Sequence, residues 1–115
     1  MVFQNGRLKF LLGTPGGPGQ TLTLVQVLSH LVDLELDLPS SVAEPRWSMD
    51  HDGQPILEEG VPDAVIAELC DLGFAVQRAP AASPFFGSAG LIQMLSDGVL
   101  CGVADGRREA CALGA

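Results

Sequence analysis

The stretch GTPGGPGQT, residues 13–21, is the densest glycine cluster of the chain. It lies between an apolar run, LKFLLG, and a long apolar-periodic run, LTLVQVLSHLV. A loop so poor in side chains offers mainly backbone N–H groups to whatever approaches it. Two phosphate-binding patterns fail on residue identity. A GxxxxGK[ST] loop needs a lysine, and none lies in residues 13–21. A GxGxxG fingerprint read from Gly17 runs Gly-Pro-Gly-Gln-Thr-Leu and lacks its third glycine. Position still carries physics. Gly16 and Gly17 stand just ahead of a helix start, where unsatisfied N–H groups and the positive end of the helix dipole converge. That arrangement suits an anion or a developing oxyanion. A purely structural tight turn is the competing reading, and the residues alone leave both open.

Other residue types offer less. The DHDG segment at 50–53 resembles the start of a calcium loop, but such a loop needs a glutamate at its twelfth position. Position 61, twelfth from Asp50, is Val, so a solvated turn is expected and no metal site is assigned. His30 falls on a predicted helix and His51 in a loop, neither with partners spaced as metal ligands or as a catalytic base. Cys70 sits late in an amphipathic helix beside Glu68 and Asp71, whereas reactive thiolates favour electropositive surroundings. It reads as a core residue. Arg46, held between Pro45 and Trp47, suits either a bidentate carboxylate contact or a structural ion pair. The residues therefore yield one oxyanion-type loop and no nucleophile.

Bulk properties bound the function. The 115-residue chain carries a net charge of -8 with 47% hydrophobic residues. That is a globular composition in a chain long enough for a single domain with a modest core. The acidic balance argues against nucleic acid and anionic membrane partners, since Arg107–Arg108 is the only local basic cluster. The opening MVFQNGRLKF has no apolar signal-peptide core, so a cytoplasmic location is the expectation, and no run reaches transmembrane length. The cysteines Cys70, Cys101 and Cys111 have no CxxC spacing and read as free or buried thiols. Fourteen Gly and eight Pro imply many turns and short elements.

The elements that must position the loop follow from periodicity and punctuation. VFQ-NG-RLKFLL is a hairpin, with Asn5-Gly6 suited to a type I′ turn. Residues 20–33 fit a helix with Leu24, Val27, Leu28 and Leu31 on one face, capped by Gln20 or Thr21. LPSSVAEP is a short helical turn stopped by Pro45. MDHDGQP is a loop, ILEEG a strand, and VPDAVIAELCDLGF a helix bracketed by Pro62 and Gly73. FAVQRAP is a strand and AASPFFGSAG a loop. LIQMLS-DG-VLCGVA is a second hairpin on Asp97-Gly98. The order β-β-α-(α)-β-α-β-β-β argues an α+β fold with a largely antiparallel sheet and two hairpins. Hairpins at both ends leave strand edges that favour a partner chain.

In their order along the chain these pieces resemble the C-terminal part of the small subunit of γ-glutamyltransferases (γ-glutamyltranspeptidases), members of the N-terminal-nucleophile hydrolase superfamily. VFQNGRLKFLLGTPGG is similar to the family's hairpin and G-[ST]-P-G-G loop. QVLSHLVDLELDLPSSVAEPRW is similar to its helix and A-x-x-P-R or A-P-R motif. ILEEGVPDAVIAELCDLGF, FFGSAGLIQM and DGVLCGVADGRREACALGA are similar to its later segments, so the likeness covers nearly all of 1–115. Pro18 and the EPRW motif are closer to bacterial transferase-like or acylase-like members. Departures are Asp105-Gly106-Arg107 for Asp-Pro-Arg, Phe74 where His is common, and Ala115 where the family often ends in Tyr.

The resemblance implies half of an αββα sandwich. It gives Gly16 and Gly17 the role of oxyanion-hole donors during attack on a γ-glutamyl amide, with transfer to an amino acid, a peptide or water. It implies no cofactor. The family's nucleophile is a threonine exposed by self-cleavage, which acts as its own base. It lies upstream of residue 1, as do the residues that bind the substrate's α-amino and α-carboxyl groups, and Thr14 is not that nucleophile. The implied partner is the nucleophile-bearing chain or a second copy. The alternative is a non-catalytic relic or interaction module of the same fold. The chain alone is expected to be inactive.

Overall fold

A computed structural model describes residues 1–15, 17 and 19–114. The described residues form two sheets and three helices. The larger sheet has strand order β1-β2-β6-β7, formed by Val2–Gln4, Arg7–Gly13, Gly90–Met94 and Leu100–Ala104, all antiparallel. The smaller has order β3-β4-β5, formed by Trp47–Met49, Pro55–Glu58 and Gln77–Ala79. In it β3 runs antiparallel and β5 parallel to β4. The helices are α1 (Gln20–Val32), α2 (Leu38–Ala43) and α3 (Asp63–Asp71), with short 3₁₀ turns at Pro84–Phe86 and Gly106–Arg108. Among the described residues no helix is long and apolar enough to cross a membrane.

Both predicted hairpins form. Asn5 and Gly6 take φ of 52° and 76°, as a type I′ turn requires. The second hairpin closes differently. Leu95 accepts from Gly98 N, its own N–H donates to Val99 O, and φ is positive at Gly98 but not at Asp97. That is a three-residue loop ending in a left-handed glycine. α2 begins at Asp37, whose carboxylate accepts from Ser40 N at 2.7 Å, with Pro39 in the first turn. Gly73, at φ 94°, ends α3, and Gly73 N and Phe74 N bond back to Cys70 O and Leu69 O.

Sheet register decides which side chains meet. Leu12, Leu91 and Val103 stand side by side across β2, β6 and β7. They share a face with Phe10, and α1 and α2 cover it through Val27, Leu31, Leu38 and Val42. The opposite face leaves Leu11, Ile92, Met94 and Leu100 at least one-third exposed. The larger sheet with its one helical layer is thus half of a sandwich, as expected. The chain's tail crosses part of the open face, where Ala112 lies over Gly102.

Four expectations change. First, β3 forms where the sequence pattern had marked no strand, and with β4 and β5 it makes a separate small sheet. Second, the buried face of α1 is Thr23, Gln26, Val27 and Leu31, rotated from the all-apolar face. Gln26 explains the rotation. Its Oε1 accepts from Trp47 N and its Nε2 donates to Trp47 O, both at 2.9 Å, so one side chain acts as a neighbouring strand for the edge of β3. Third, neither Gln20 nor Thr21 caps α1. The cap position is Gly19, and the Gln20 amide reaches back to Thr14 O. Fourth, Cys70 is exposed rather than in the core, because α3 lies outermost and buries none of its residues. Val65 and Leu69 of α3 instead line an apolar cleft of about 350 Å³ with Trp47, Leu57 and Phe74.

The Gln26 bridge ties α1 to the small sheet. Gln26→Leu keeps the volume but strands two backbone groups at the α1–β3 junction. It is expected to cost about 2–3 kcal/mol, read as a lowered urea midpoint with an unchanged m-value.

Candidate functional site

The glycine loop emerges from β2 and enters α1. Its first stem is fixed by pairing of Gly13 with Gly90 on β6. Its second is fixed by Gln20 N donating to Gly17 O at 3.1 Å and Thr23 N donating to Gly19 O at 3.0 Å. Gly17 is exposed, has φ 148°, and would point a Cβ into open space with nothing within 4 Å. That backbone is close to a region only glycine occupies freely. The start of α1 has Gly19 as its cap position, with no side-chain cap, and no acidic residue in its first turn. Gly16 and Pro18 lie outside the described residues, as does Ala115 at the end of the chain.

Behind this loop is a cluster that composition did not reveal. Arg46, Glu58, Asp105 and Arg107 are 1%, 2%, 2% and 7% exposed. Arg107 grips Glu58 in a two-pronged contact, Nε to Oε1 at 3.0 Å and Nη2 to Oε2 at 2.6 Å. Arg46 Nη2 meets Asp105 Oδ2 at 2.7 Å, and Arg107 Nη1 meets Asp105 Oδ1 at 3.2 Å. Two cations and two anions balance, so burial leaves no net charge.

The remaining bonds of the cluster go to backbone. Arg46 Nη2 and Arg107 Nη1 both donate to Val42 O, and Arg107 Nη2 donates to Glu44 O, which satisfies the carboxyl end of α2. Glu58 accepts from Arg46 N and Ser83 N, and Asp105 from Ala89 N and Arg107 N. One buried atom, Arg46 Nε, has no hydrogen-bond partner among the described residues. The cluster therefore joins α2, both sheets and the 3₁₀ turn at Pro84–Phe86.

Several sequence readings are resolved here. Arg46 makes the structural ion pair rather than a free carboxylate-binding site. Arg107 is not part of a basic surface, since its charge is spent inside. Asp105 and Arg107 stood out only as the ends of the Asp105-Gly106-Arg107 segment, and nothing local joins them to Glu58, which Arg107 meets across 49 residues. His30 is half-buried on α1 with Nδ1 at 3.0 Å from Ser41 O, and His51 is exposed beside Asp52. The polar atoms of Asp50, His51 and Asp52 lie within 4.8 Å of one another. Asp50 is already committed, its Oδ1 accepting from Asp52 N and Gln54 N and its Oδ2 from the Gln77 amide. The segment is a solvated turn of the kind anticipated.

Burial pushes the Asp105 carboxyl up, but its bond from Arg107 N and the two guanidinium charges outweigh this and hold it below the ordinary range. Burial and the nearby Arg107 charge lower Arg46. Arg107 is likewise lowered by burial, yet its bonds to Glu58 raise it overall. The linkage sign for Asp105 is that of a depressed acid. Its contribution is present above about pH 4, the value in an unfolded chain, and is lost as pH falls through the lower native value. Asp105→Asn leaves Arg46 buried without its anion and is expected to cost about 3–5 kcal/mol at neutral pH. It should also flatten the acid limb of stability, checked by urea midpoints from pH 7 down to about pH 3.

Comparison with known proteins agrees with this architecture. The family model for Gamma-glutamyltranspeptidase matches residues 1–115. The chain is 31% identical over 120 residues to the glutathione hydrolase-like YwrD proenzyme of Bacillus subtilis (strain 168), covering 99% of this chain and 23% of that protein. It is 33% identical over 110 residues to the acylase ACY 1 proenzyme of Pseudomonas sp. (strain SE83), covering 95% and 19%. The solved structure of a mutant Helicobacter pylori gamma-glutamyltranspeptidase superposes with a TM-score of 0.80 at 27% identity, over 93% of this chain and 58% of that one. The chain thus spans about a fifth of the curated proenzymes it matches and somewhat over half of the matched structural chain. With the half-sandwich, the hairpins and the glycine loop in the family's order, the chain belongs to the gamma-glutamyltranspeptidase family.

Proposed function

We propose that this chain supplies the oxyanion-stabilising loop of an enzyme that hydrolyses or transfers γ-glutamyl amides, with the nucleophile carried on the remaining part of the enzyme. The observation that carries the reading is Gly17. It presents open backbone with no side chain, at φ 148°, next to the positive end of α1. When a nucleophile attacks an amide carbonyl, the oxygen gains negative charge. A fixed N–H donor at that point stabilises the transition state more than the ground state, which is the condition for raising turnover rather than affinity alone. Gly16 is assigned the companion donor.

The mechanism is covalent acyl transfer in two steps. The nucleophile adds to the γ-carbonyl, and collapse of the tetrahedral intermediate expels the amine and leaves an acyl-enzyme. Water or an acceptor amine then attacks that ester through a second tetrahedral intermediate. Both intermediates place their oxyanion in the same hole, so one loop serves both halves of the cycle. The chain contributes geometry and electrostatics and no metal or redox chemistry is called for. The partner is the nucleophile-bearing part, seated against the apolar sheet face that carries Leu11, Ile92 and Met94. The family likeness to both a glutathione hydrolase-like and an acylase proenzyme leaves the amide's leaving group to residues outside this chain.

The test uses the complete enzyme. Gly17→Val restricts φ and displaces the amide, and is expected to lower kcat about 100- to 1000-fold, roughly 3–4 kcal/mol, with KM little changed. Turnover per folded molecule is read from release of a chromogenic amine from a γ-glutamyl anilide. Near-normal kcat in a folded Gly17→Val enzyme would refute the oxyanion role and leave the loop as a structural turn.

A further inference from the structure

The turn that precedes β6 touches both stems of the glycine loop. Phe86 is 4% exposed, and its carbonyl accepts two donors, Thr23 Oγ1 at 3.0 Å and Arg46 Nη1 at 3.3 Å. The first donor is in the opening turns of α1. The second belongs to the buried ion cluster. Gly87, next in the chain, has φ 77°, and a Cβ there would lie 2.9 Å from Thr23 Oγ1 and 3.6 Å from Thr14 Oγ1. Thr14 is the first residue of the loop after β2, and its carbonyl also accepts from the Gln20 side chain at 3.4 Å. A side chain at 87 would thus wedge apart the two threonines that flank the loop.

From this juxtaposition we propose that Thr23 and the Phe86–Gly87 turn are positioning residues for the glycine loop: they clamp its two stems to the ion cluster and so fix where the Gly17 amide points. The inference rests on the oxyanion reading for its effect on catalysis, but not for its effect on the loop.

The chemical reasoning is short. An oxyanion donor is useful only if it is held in place before charge develops, and a misplacement of an ångström costs much of the effect. Gly17 cannot hold itself, because it has no side chain and is exposed. Rigidity must therefore come from its neighbours. On one side the Gly13–Gly90 pairing sets the stem, and β6 begins only three residues after Gly87. On the other side α1 sets the stem, and Thr23, 4% exposed, is its buried contact with the turn. The turn itself is pinned from below. Glu58 accepts from Ser83 N, Arg46 donates to Phe86 O, and Arg108 Nη2 donates to Pro84 O at 3.1 Å. From ion cluster to turn to loop stem the connection runs through hydrogen bonds and the close approach of Gly87 to Thr23.

The experiment compares Thr23→Val, which keeps the shape and removes the hydroxyl, with Thr23→Ser, which keeps the hydroxyl. Both are made in the complete enzyme. Two readouts are taken from each sample: hydrogen exchange at the Gln20 amide, which donates to Gly17 O, and kcat with KM for a γ-glutamyl anilide. Thr23→Val is expected to raise exchange in the loop several-fold and lower kcat about tenfold with KM held. Thr23→Ser is expected to restore both. Unchanged loop exchange in folded Thr23→Val overturns the clamp, whatever kcat does. Faster exchange with unchanged kcat supports the clamp and counts against the oxyanion reading, so the two fail separately. Thr23→Ala, which drops the hydroxyl without adding bulk, is read the same way if the valine variant does not fold.

Discussion

Four charges with no access to water set the geometry of this chain. Arg46, Glu58, Asp105 and Arg107 come from the link between α2 and β3, the end of β4, and the segment after β7. An unpaired charge in such a place would cost several kcal/mol. The chain must therefore bring all four together or fail to fold. Meeting that demand fixes α2 against the small sheet and both against the end of β7. It also fixes the Pro84–Phe86 turn, because Glu58 and Arg46 spend spare hydrogen-bonding capacity on Ser83 N and Phe86 O. A hydrophobic junction of equal volume could be as stable, but it would not dictate direction: guanidinium and carboxylate groups pair only in particular orientations.

The glycine loop depends on that demand at one remove. It is built from residues that cannot secure themselves, and Gly17 gains its open approach from having neither side chain nor cover. Such a loop is useful in catalysis only on rigid mounts. The mounts are β2 paired to β6 and α1 bonded through Thr23 to the Phe86 carbonyl. Stiffness lies in the polar interior and openness at the exposed tip. The apolar face of the large sheet has a different task. Leu11, Ile92, Met94 and Leu100 are at least one-third exposed on it, in a chain that spans about a fifth of the curated relatives it matches.

What could be read from the sequence was local. Asn5-Gly6 names its turn because both positions need positive φ, and Pro62 and Gly73 bracket α3 because one suits a helix start and the other a left-handed end. The ordered set of such pieces was enough to identify the family. What escaped was non-local or polar. β3 is three residues long and owes its existence to pairing with β4 and to Gln26, a residue that apolar periodicity discards. Arg107 looked like surface charge because its partner Glu58 lies 49 residues away. Cys70 looked buried because it lies in an amphipathic helix, yet α3 lies at the periphery. With Gly106 where the family usually has proline, Asp105 caps the following turn through Arg107 N and both charges reach the cluster. Gly16 and Gly17 stood out in the sequence for composition and position, but the contacts among Thr23, Phe86 and Gly87 beside the loop did not.

The most direct measurement is a crystal structure of the complete enzyme carrying a covalent tetrahedral adduct of a γ-glutamyl analogue on its nucleophile. The expected result is an adduct oxygen about 2.7–3.1 Å from the Gly17 backbone nitrogen, with Phe86 O still bonded to Thr23 and Arg46. An adduct whose oxygen points away from the loop, toward other donors or bulk water, would contradict the assignment of this chain as the oxyanion-stabilising part of the enzyme.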